Sequence, residues 1–259
     1  MKNFRTFLFA AVAALTLSAT TVNAQVSVDL GADFVSKYIW RGLDLGGTSP
    51  HVQPWVEFGF GESGLAIGAW GSYATTVDPN AAVGAEADLY LSYSHDLFGI
   101  VLSDYFFPSG GAPDNGYFYW KNDWDNGEVT GHTLELMATY NGVESFPLYA
   151  TFAINLYGAD GSVVDGDKVK PQYAKYLEVG YPFSAGDVSV DVFAGLQLDD
   201  PDEEAGDAGW YGDAMGFTNI GLTAAKDVQV TETFALPLSM SVIVNPMVED
   251  IYFVFGISF

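Results

Sequence analysis

The sequence has no cysteine and few basic residues, and both absences restrict its chemistry. Without cysteine there is no disulfide, no thiolate-ligated metal and no thiol nucleophile. Nine Lys and Arg stand against 33 Asp and Glu, a formal charge of -24, so nucleic acid is not an expected partner because phosphates need a positive surface. Charged residues are only 16%, whereas hydrophobic residues reach 49% and aromatic residues 15%. The chain is therefore apolar, aromatic and acidic at once.

The longest uncharged apolar run lies near the N terminus, from Phe7 to Leu17. It follows Lys2 and Arg5 and leads to small and polar residues that end at Ala24, which is the three-part layout of a secretory signal peptide. An N-terminal membrane anchor is the alternative, but the run is short for a bilayer span, which takes about 20 residues. We predict that residues 1–24 are a signal peptide and that 25–259 form one domain.

The rest of the chain alternates apolar and polar residues with a period of two, which is the pattern of two-faced β-strands. In the first segment Val26, Val28 and Leu30 share one face, which continues to Tyr38 and Trp40. The same pattern predicts eleven further strands: 52–60, 64–74, 85–94, 98–107, 131–140, 146–157, 172–183, 188–198, 217–228, 234–245 and 250–259. Most have about the length that crosses a bilayer at a tilt.

Short and long connections alternate along the chain, as in outer-membrane barrels with short periplasmic turns and longer outward loops. With the apolar face outward, aromatic rings gather near the short turns and near the opposite rim, as membrane-interface girdles do. At the rim we place Tyr38, Trp40, Tyr73 and Phe106. The expected fold is an all-β, transmembrane, antiparallel up-and-down β-barrel of about 12 strands. Only three charges fall on the outward face, and each lies near a strand end: Asp104, Lys175 and Lys226.

Several motifs resemble the TorF-like porin family. They are the runs 36–42, 64–72, 85–90 and 104–108, which contain a Ser-x-Tyr-aromatic-Arg-Gly segment followed by a Gly-rich strand with Trp70. The resemblance implies a barrel in the bacterial outer membrane and says little about its substrate. The last strand alternates to a terminal Phe259, similar to the C-terminal strand that the barrel-assembly machinery recognises. Outer-membrane lipid, this machinery and small solutes are the expected partners.

The inward face carries eight carboxylates and two cations, which leaves six net negative charges inside a narrow cylinder. The pore-lining candidates are Asp29, Asp33, Lys37, Arg41, Glu57, Glu86, Asp88, Glu135, Glu178 and Asp191. Rings of carboxylates favour cations, so the first hypothesis is a porin that passes small solutes, with some cation preference. In the alternative, the same carboxylates pair with Lys37, Arg41 and tyrosine hydroxyls and hold the interior together. Arg41 itself suits a structural clamp or a ligand contact.

Two other functions remain open at this point. A lipid hydrolase would use one of three histidines, His51, His95 or His132, of which His132 is close in sequence to Glu135; no Gly-x-Ser-x-Gly element accompanies them. A structural or adhesion barrel is the other. The acidic runs 121–128 and 199–213 offer oxygen ligands to Ca²⁺ or Mg²⁺ without EF-hand spacing. We expect no enzyme activity and no cofactor.

Overall fold

The computed structural model describes residues 26–108, 116–123, 129–165, 168–202, 204 and 206–259. The predicted signal peptide lies outside these residues. The strands, in chain order, are β1 (Val26–Val35), β2 (Ile39–Trp40), β3 (Leu43–Asp44), β4 (His51–Phe60), β5 (Leu65–Ala74), β6 (Ala85–Ser94), β7 (Phe98–Phe106), β8 (His132–Tyr140), β9 (Tyr149–Gly158), β10 (Gly161–Asp165), β11 (Lys168–Pro171), β12 (Lys175–Ala185), β13 (Val188–Gln197), β14 (Gly216–Gln229), β15 (Ala235–Asn245) and β16 (Asp250–Ser258).

Twelve of these strands form a closed antiparallel barrel, in which β1 pairs with both β4 and β16. The predicted all-β, up-and-down fold of twelve strands is therefore confirmed. Ala32 and Phe259 exchange two backbone hydrogen bonds, of 3.2 and 3.0 Å, and so close the cylinder beside the C terminus. The described residues contain no helix that is long and apolar enough to cross a membrane.

The two ends of the barrel differ. Connections of two to eight residues join the strands at one end, which we call the turn end: 61–64, 95–97, 141–148, 186–187 and 230–234. The connections at the other end, the loop end, include the two extra hairpins, β2–β3 and β10–β11. Both β1 and β16 have their chain-terminal ends at the turn end.

The outer face is apolar, and each of its three predicted charges has a polar side-chain partner. The carboxylate of Asp104 lies 2.8 Å from His132 Nδ1, and Lys226 Nζ lies 2.6 Å from Asp187. Lys175 pairs with Asp199 at the loop end. The hydrogen bond from Lys226 keeps the pKa of Asp187 below its ordinary value. Pairing reduces the cost of placing these charges on an apolar wall.

The aromatic rings expected near the turn end are on the outer surface; the exposed ones include Phe60, Tyr93, Phe98, Phe146, Phe183, Phe234 and Phe259. At the loop end the prediction is wrong for two of the four rings that were expected to face outward. Tyr38 and Trp40 lie inside the barrel, because β1 ends at Val35 and the chain then turns inward. Tyr73 is exposed as expected, whereas Phe106 is covered by Tyr117 and His132.

Two other strand starts differ from the sequence pattern for local reasons. Strand β9 begins at Tyr149 because Val143 and Phe146 pair with each other and close their own turn. Strand β12 begins at Lys175 because Tyr173 has a φ of 55°, which an extended strand does not accommodate.

Candidate functional site

The hairpin β2–β3 folds from the loop end into the barrel lumen, and we call residues 36–47 the plug hairpin. Its tip is Arg41-Gly42, where φ is 51° and 83°. Two successive positive φ values are typical of the two-residue turns that match strand twist, and Gly accepts them without strain. A Cβ on Gly42 would overlap the carbonyl of Thr218 in β14, and Asn245 Nδ2 donates to the Gly42 carbonyl at 3.0 Å. The tip therefore packs against β14 and β15, which lie three and two strands from β1 around the barrel.

Arg41 is the centre of the packed part of the lumen. Its guanidinium donates to both oxygens of Glu135, at 2.5 and 2.9 Å, which is the two-bonded geometry of a strong charge-assisted pair. The Trp40 and Tyr176 rings lie 4.5 and 4.7 Å from the guanidinium carbon. Tyr211 accepts a further hydrogen bond from Arg41 at 2.5 Å. The cation is thus held by one carboxylate and three rings.

Tyr211 reaches this position because its loop also folds inward. The side chain of Gln197, at the end of β13, accepts from the Tyr211 amide at 2.8 Å and donates to the carbonyls of Gly212 and Ala214. Gln197 and Tyr211 are both fully buried. The plug hairpin and this loop together fill the lumen near the loop end.

Lys37 belongs to the plug hairpin and not to the barrel wall. Its ammonium pairs with Asp44 across the hairpin and donates to the Gly47 carbonyl at 2.5 Å. Asp44 also accepts from the Gly47 amide at 2.9 Å. Lys37 therefore neutralises a carboxylate of its own hairpin rather than one of the lumen carboxylates predicted from the strands.

Tyrosine hydroxyls serve five of the eight predicted lumen carboxylates. The donor–acceptor pairs are Tyr38–Glu86 (2.7 Å), Tyr90–Glu57 (3.2 Å), Tyr105–Glu135 (2.7 Å), Tyr149–Asp191 (2.8 Å) and Tyr176–Glu178 (2.6 Å). Of the eight, only Glu135 has a Lys or Arg partner among the described residues. The alternation placed the carboxylates on the inner face; it did not indicate these tyrosine partners.

Glycines in the neighbouring strand make room for three of these tyrosines. A Cβ would overlap the Tyr90 ring at Gly68, the Tyr149 ring at Gly180 and the Tyr176 ring at Gly195. For the first two, the ring crosses the glycine strand and its hydroxyl reaches a carboxylate one strand further on. Glycine in a strand often marks such a close approach. Each of these two tyrosine rings packs against the inner face of the barrel over a glycine, and its hydroxyl holds the carboxylate by a hydrogen bond.

Eight of the ten predicted residues fall into two groups. Near the loop end the structure brings together Arg41, Glu135 and Glu178, through Tyr176 and Tyr211; Glu86 and Asp88 follow on β6. Toward the turn end of their strands lie Asp29, Glu57 and Asp191, with Asp29 and Glu57 directly paired across β1 and β4. Asp33 lies beside Ser258 at the closure of the barrel. Lys37 joins neither group.

The two histidines at the loop end lie on opposite sides of the wall. His51 is buried inside, with Nδ1 2.8 Å from the Ser72 hydroxyl. His132 faces outward: Nδ1 meets Asp104, Nε2 lies 2.7 Å from the Tyr117 carbonyl, and the ring stacks on Trp120 at 3.8 Å. Glu135, three residues later, points into the lumen. His132 and Glu135 are therefore close in sequence but do not belong to one site.

Within the described residues, no three His, Asp or Glu side chains are grouped as a metal site would require. Residues 124–128, 203 and 205 lie outside the described part, so the two acidic runs that offer oxygen ligands to Ca²⁺ or Mg²⁺ are described only in part.

The closed sheet, the inward-folded hairpin and the carboxylate–tyrosine interior define a twelve-strand β-barrel protein with a partly filled lumen. A family model described as a bacterial protein of unknown function, Gcw_chp, matches residues 14–233, and the chain belongs to this family. A comparison with curated proteins gives no match.

Proposed function

We propose that the protein is a bacterial outer-membrane barrel of the TorF-like porin type. In this proposal it passes small solutes, prefers cations, and is constricted near the loop end by the plug hairpin. Membrane lipid surrounds the barrel, and the barrel-assembly machinery recognises the strand that ends at Phe259.

The outer face supports the membrane part of the proposal. Val28, Leu30, Ile67 and Phe253 are examples of its exposed apolar side chains, and their exposure to water would be costly. A closed barrel satisfies its backbone internally, as hydrocarbon requires. An unpaired Lys or Arg on such a face costs about 2–4 kcal/mol at mid-depth and less near the rims. Lys175 and Lys226 are paired and lie near strand ends.

One observation supports cation preference above all. Asp29, Asp33, Glu57 and Asp191 form no ion pair within the described residues, whereas Arg41 is neutralised by Glu135. A tyrosine hydroxyl orients a carboxylate without removing its charge, so Glu57 and Asp191 keep a negative potential in the lumen. Low-dielectric walls focus that potential and raise the local cation concentration.

The tyrosine bonds also bear on the scaffold alternative. They hold the carboxylates in place, as that alternative expects. Within the described residues, however, Lys37 pairs with Asp44 rather than with any of the eight predicted lumen carboxylates, and pairing with Arg41 is limited to Glu135. The same residues therefore serve both purposes: hydrogen bonding fixes them, and their uncompensated charge selects ions.

Planar-bilayer recording of the refolded protein in a KCl gradient tests the proposal. We expect channels whose reversal potential reports cation preference, and we expect the double variant Glu57→Gln/Asp191→Asn to reduce that preference severalfold. The matched control is Glu144→Gln, in an exposed turn outside the wall. An absence of channels, or anion preference, would contradict the proposal.

The positions of the histidines favour transport over lipid hydrolysis. On the outer face, where lipid would be the substrate, both nitrogens of His132 already contact protein acceptors. His51 lies inside the barrel, away from that face. Lipid hydrolysis by the purified protein, compared with solute flux into liposomes, distinguishes the two functions.

A further inference from the structure

The outer wall carries a hollow of about 440 Å³ across β4, β5 and β6, and we call it the wall hollow. Its floor consists of small residues, Pro54, Gly71 and Ala87, at neighbouring positions of the three strands. The β4–β5 ladder pairs Val52 with Tyr73 and Trp55 with Trp70, and the two positions between them are unpaired. Pro54 has no N–H to contribute there. The hollow therefore lies where the outward side chains are small and where the backbone pairing between β4 and β5 is interrupted.

The same row of the wall continues beyond the hollow, where the chain covers it with its own aromatic rings. Ala87 pairs with Phe106, and Phe106 with His132. Over these two residues lies the segment 116–123, which we call the strap. Three contacts hold the strap in place. The Tyr117 carbonyl lies 2.7 Å from His132 Nε2, and Asn122 Nδ2 donates to the Gly158 carbonyl at 2.6 Å. The Trp120 ring also stacks on His132. Tyr117 then forms the edge of the wall hollow.

Aromatic side chains of the strap thus pack on the outer surface of this row of residues. The strap covers the row at Phe106 and His132 and leaves the hollow uncovered. Tyr73 and Leu89 border the hollow and are exposed, and Phe118 on the strap is 92% exposed. The size lies within the range of small-molecule sites, about 300–1,000 Å³. Its lining is mainly apolar, and the hollow opens toward the outside of the barrel.

The lining also determines which part of a lipid fits. The described residues that form it include no Lys, Arg or His, so none of them favours a phosphate. Its one carboxylate, that of Asp88, accepts from the Phe106 amide at 3.3 Å and belongs to the inner-face residues of β6. What the hollow offers inside a bilayer is dispersion contact with closely placed apolar walls. A hydrocarbon chain meets these conditions and a headgroup does not.

We propose that the wall hollow binds one acyl chain of a membrane lipid, with Tyr117 of the strap as one wall. The proposal rests on the proposed membrane location. A lipid chain is the occupant that a lipid-embedded wall always has beside it, and the concave shape bounded by the strap suits a single chain better than the convex wall of a second barrel.

Filling the hollow tests this inference. Ala87→Leu adds three methyl-sized groups to the floor, and Ala69→Leu, at another lining position, is a second variant should the first fail to fold. The matched control is Ala138→Leu, an outward position on β8 that does not line the hollow. Each protein is reconstituted in phosphatidylethanolamine vesicles, floated with them, then extracted, and the retained phosphatidylethanolamine is counted by native mass spectrometry.

We expect wild type and Ala138→Leu to retain one lipid that Ala87→Leu binds about tenfold more weakly. If all variants float with the vesicles and retain equal amounts of phosphatidylethanolamine, the proposed lipid site in the wall hollow is overturned and the membrane proposal is not. If the wild-type protein forms dimers and Ala87→Leu disrupts them, the hollow binds a second copy of the chain and the lipid proposal is wrong. Protein that does not float with vesicles would overturn the proposed function and this inference together.

Discussion

The loop-end and turn-end halves of the lumen use the same residue types in opposite ways. Near the loop end a cation, Arg41, gathers Glu135 and three aromatic rings into a buried cluster. Toward the turn end, within the part of the chain that the structure describes, Glu57 and Asp191 have tyrosine hydroxyls and no basic group as hydrogen-bond partners. In this barrel a basic group therefore joins the packed cluster at Glu135, whereas hydroxyl groups hydrogen-bond Glu57 and Asp191 without neutralising them.

The largest expected effect is at the centre of the loop-end half. Arg41→Ala leaves Glu135 buried without its cation, and removing one partner of a buried pair costs about 3–5 kcal/mol. We expect the free energy of unfolding in urea to fall by this amount and the single-channel conductance to rise, because the plug hairpin loses its anchor.

Lys37→Ala is the control for this change, since it removes a cation from the same hairpin. The Lys37 and Asp44 side chains are 25% and 27% exposed, so the expected loss is about 0–1 kcal/mol. Equal losses for the two variants would contradict the central role of Arg41. Normal stability with altered selectivity would instead make Arg41 a pore residue rather than a clamp.

The sequence predicts the barrel well and the plug poorly, for a physical reason. Side-chain alternation depends only on which face each residue occupies, so it identified the twelve strands and the inner position of Glu57 and Asp191. The tip at Arg41 needs positive φ in a residue that seldom adopts it. Alternation through Tyr38 and Trp40 therefore looked like continued strand.

Two further features depended on contacts that a single sequence does not specify. The placement of a tyrosine over a glycine depends on the register between strands, as for Tyr149 over Gly180, and alternation fixes register only to within an even number of residues. Asp104 and Phe106 were placed on the outer face, but coverage by the strap follows from a loop that folds back onto the wall.

A smaller effect is expected in the turn-end half. Gly180→Ala places a methyl group where the Tyr149 ring lies, and such overpacking costs about 1–3 kcal/mol. The displaced Tyr149 also loses its hydrogen bond to Asp191, so selectivity changes together with the urea midpoint.

Gly84→Ala is the matched control, because a Cβ at Gly84 meets nothing within 4 Å. Adding Tyr149→Leu to Gly180→Ala should recover stability, since the shorter side chain makes room for the methyl group. If Gly180→Ala were as stable as Gly84→Ala, the tyrosine-over-glycine arrangement would not be what fixes Asp191.

The smallest expected effect concerns the outer attachment of the plug hairpin. Asp78 accepts hydrogen bonds from the Thr48 hydroxyl (2.7 Å), the Thr48 amide (2.8 Å) and the Asn80 amide (2.9 Å). These bonds, with that from the Thr48 hydroxyl first, lower the pKa of Asp78 to about 2. Because the folded pKa lies below the ordinary value of 3.8, the attachment is fully present above about pH 4 and is lost as the pH falls through about 2.

The amide chemical shift of Thr48, followed by NMR during acidification, should therefore titrate near pH 2. Asp78→Asn should abolish this titration while leaving the Arg41–Glu135 cluster in place, because the side-chain amide oxygen still accepts a hydrogen bond but the amide group does not ionise in this pH range. A Thr48 shift that titrates near pH 4 would mean that Asp78 does not hold the hairpin. The plug hairpin would then be held by its inner contacts, those of Tyr38, Arg41 and Gly42, without an outer attachment at Asp78.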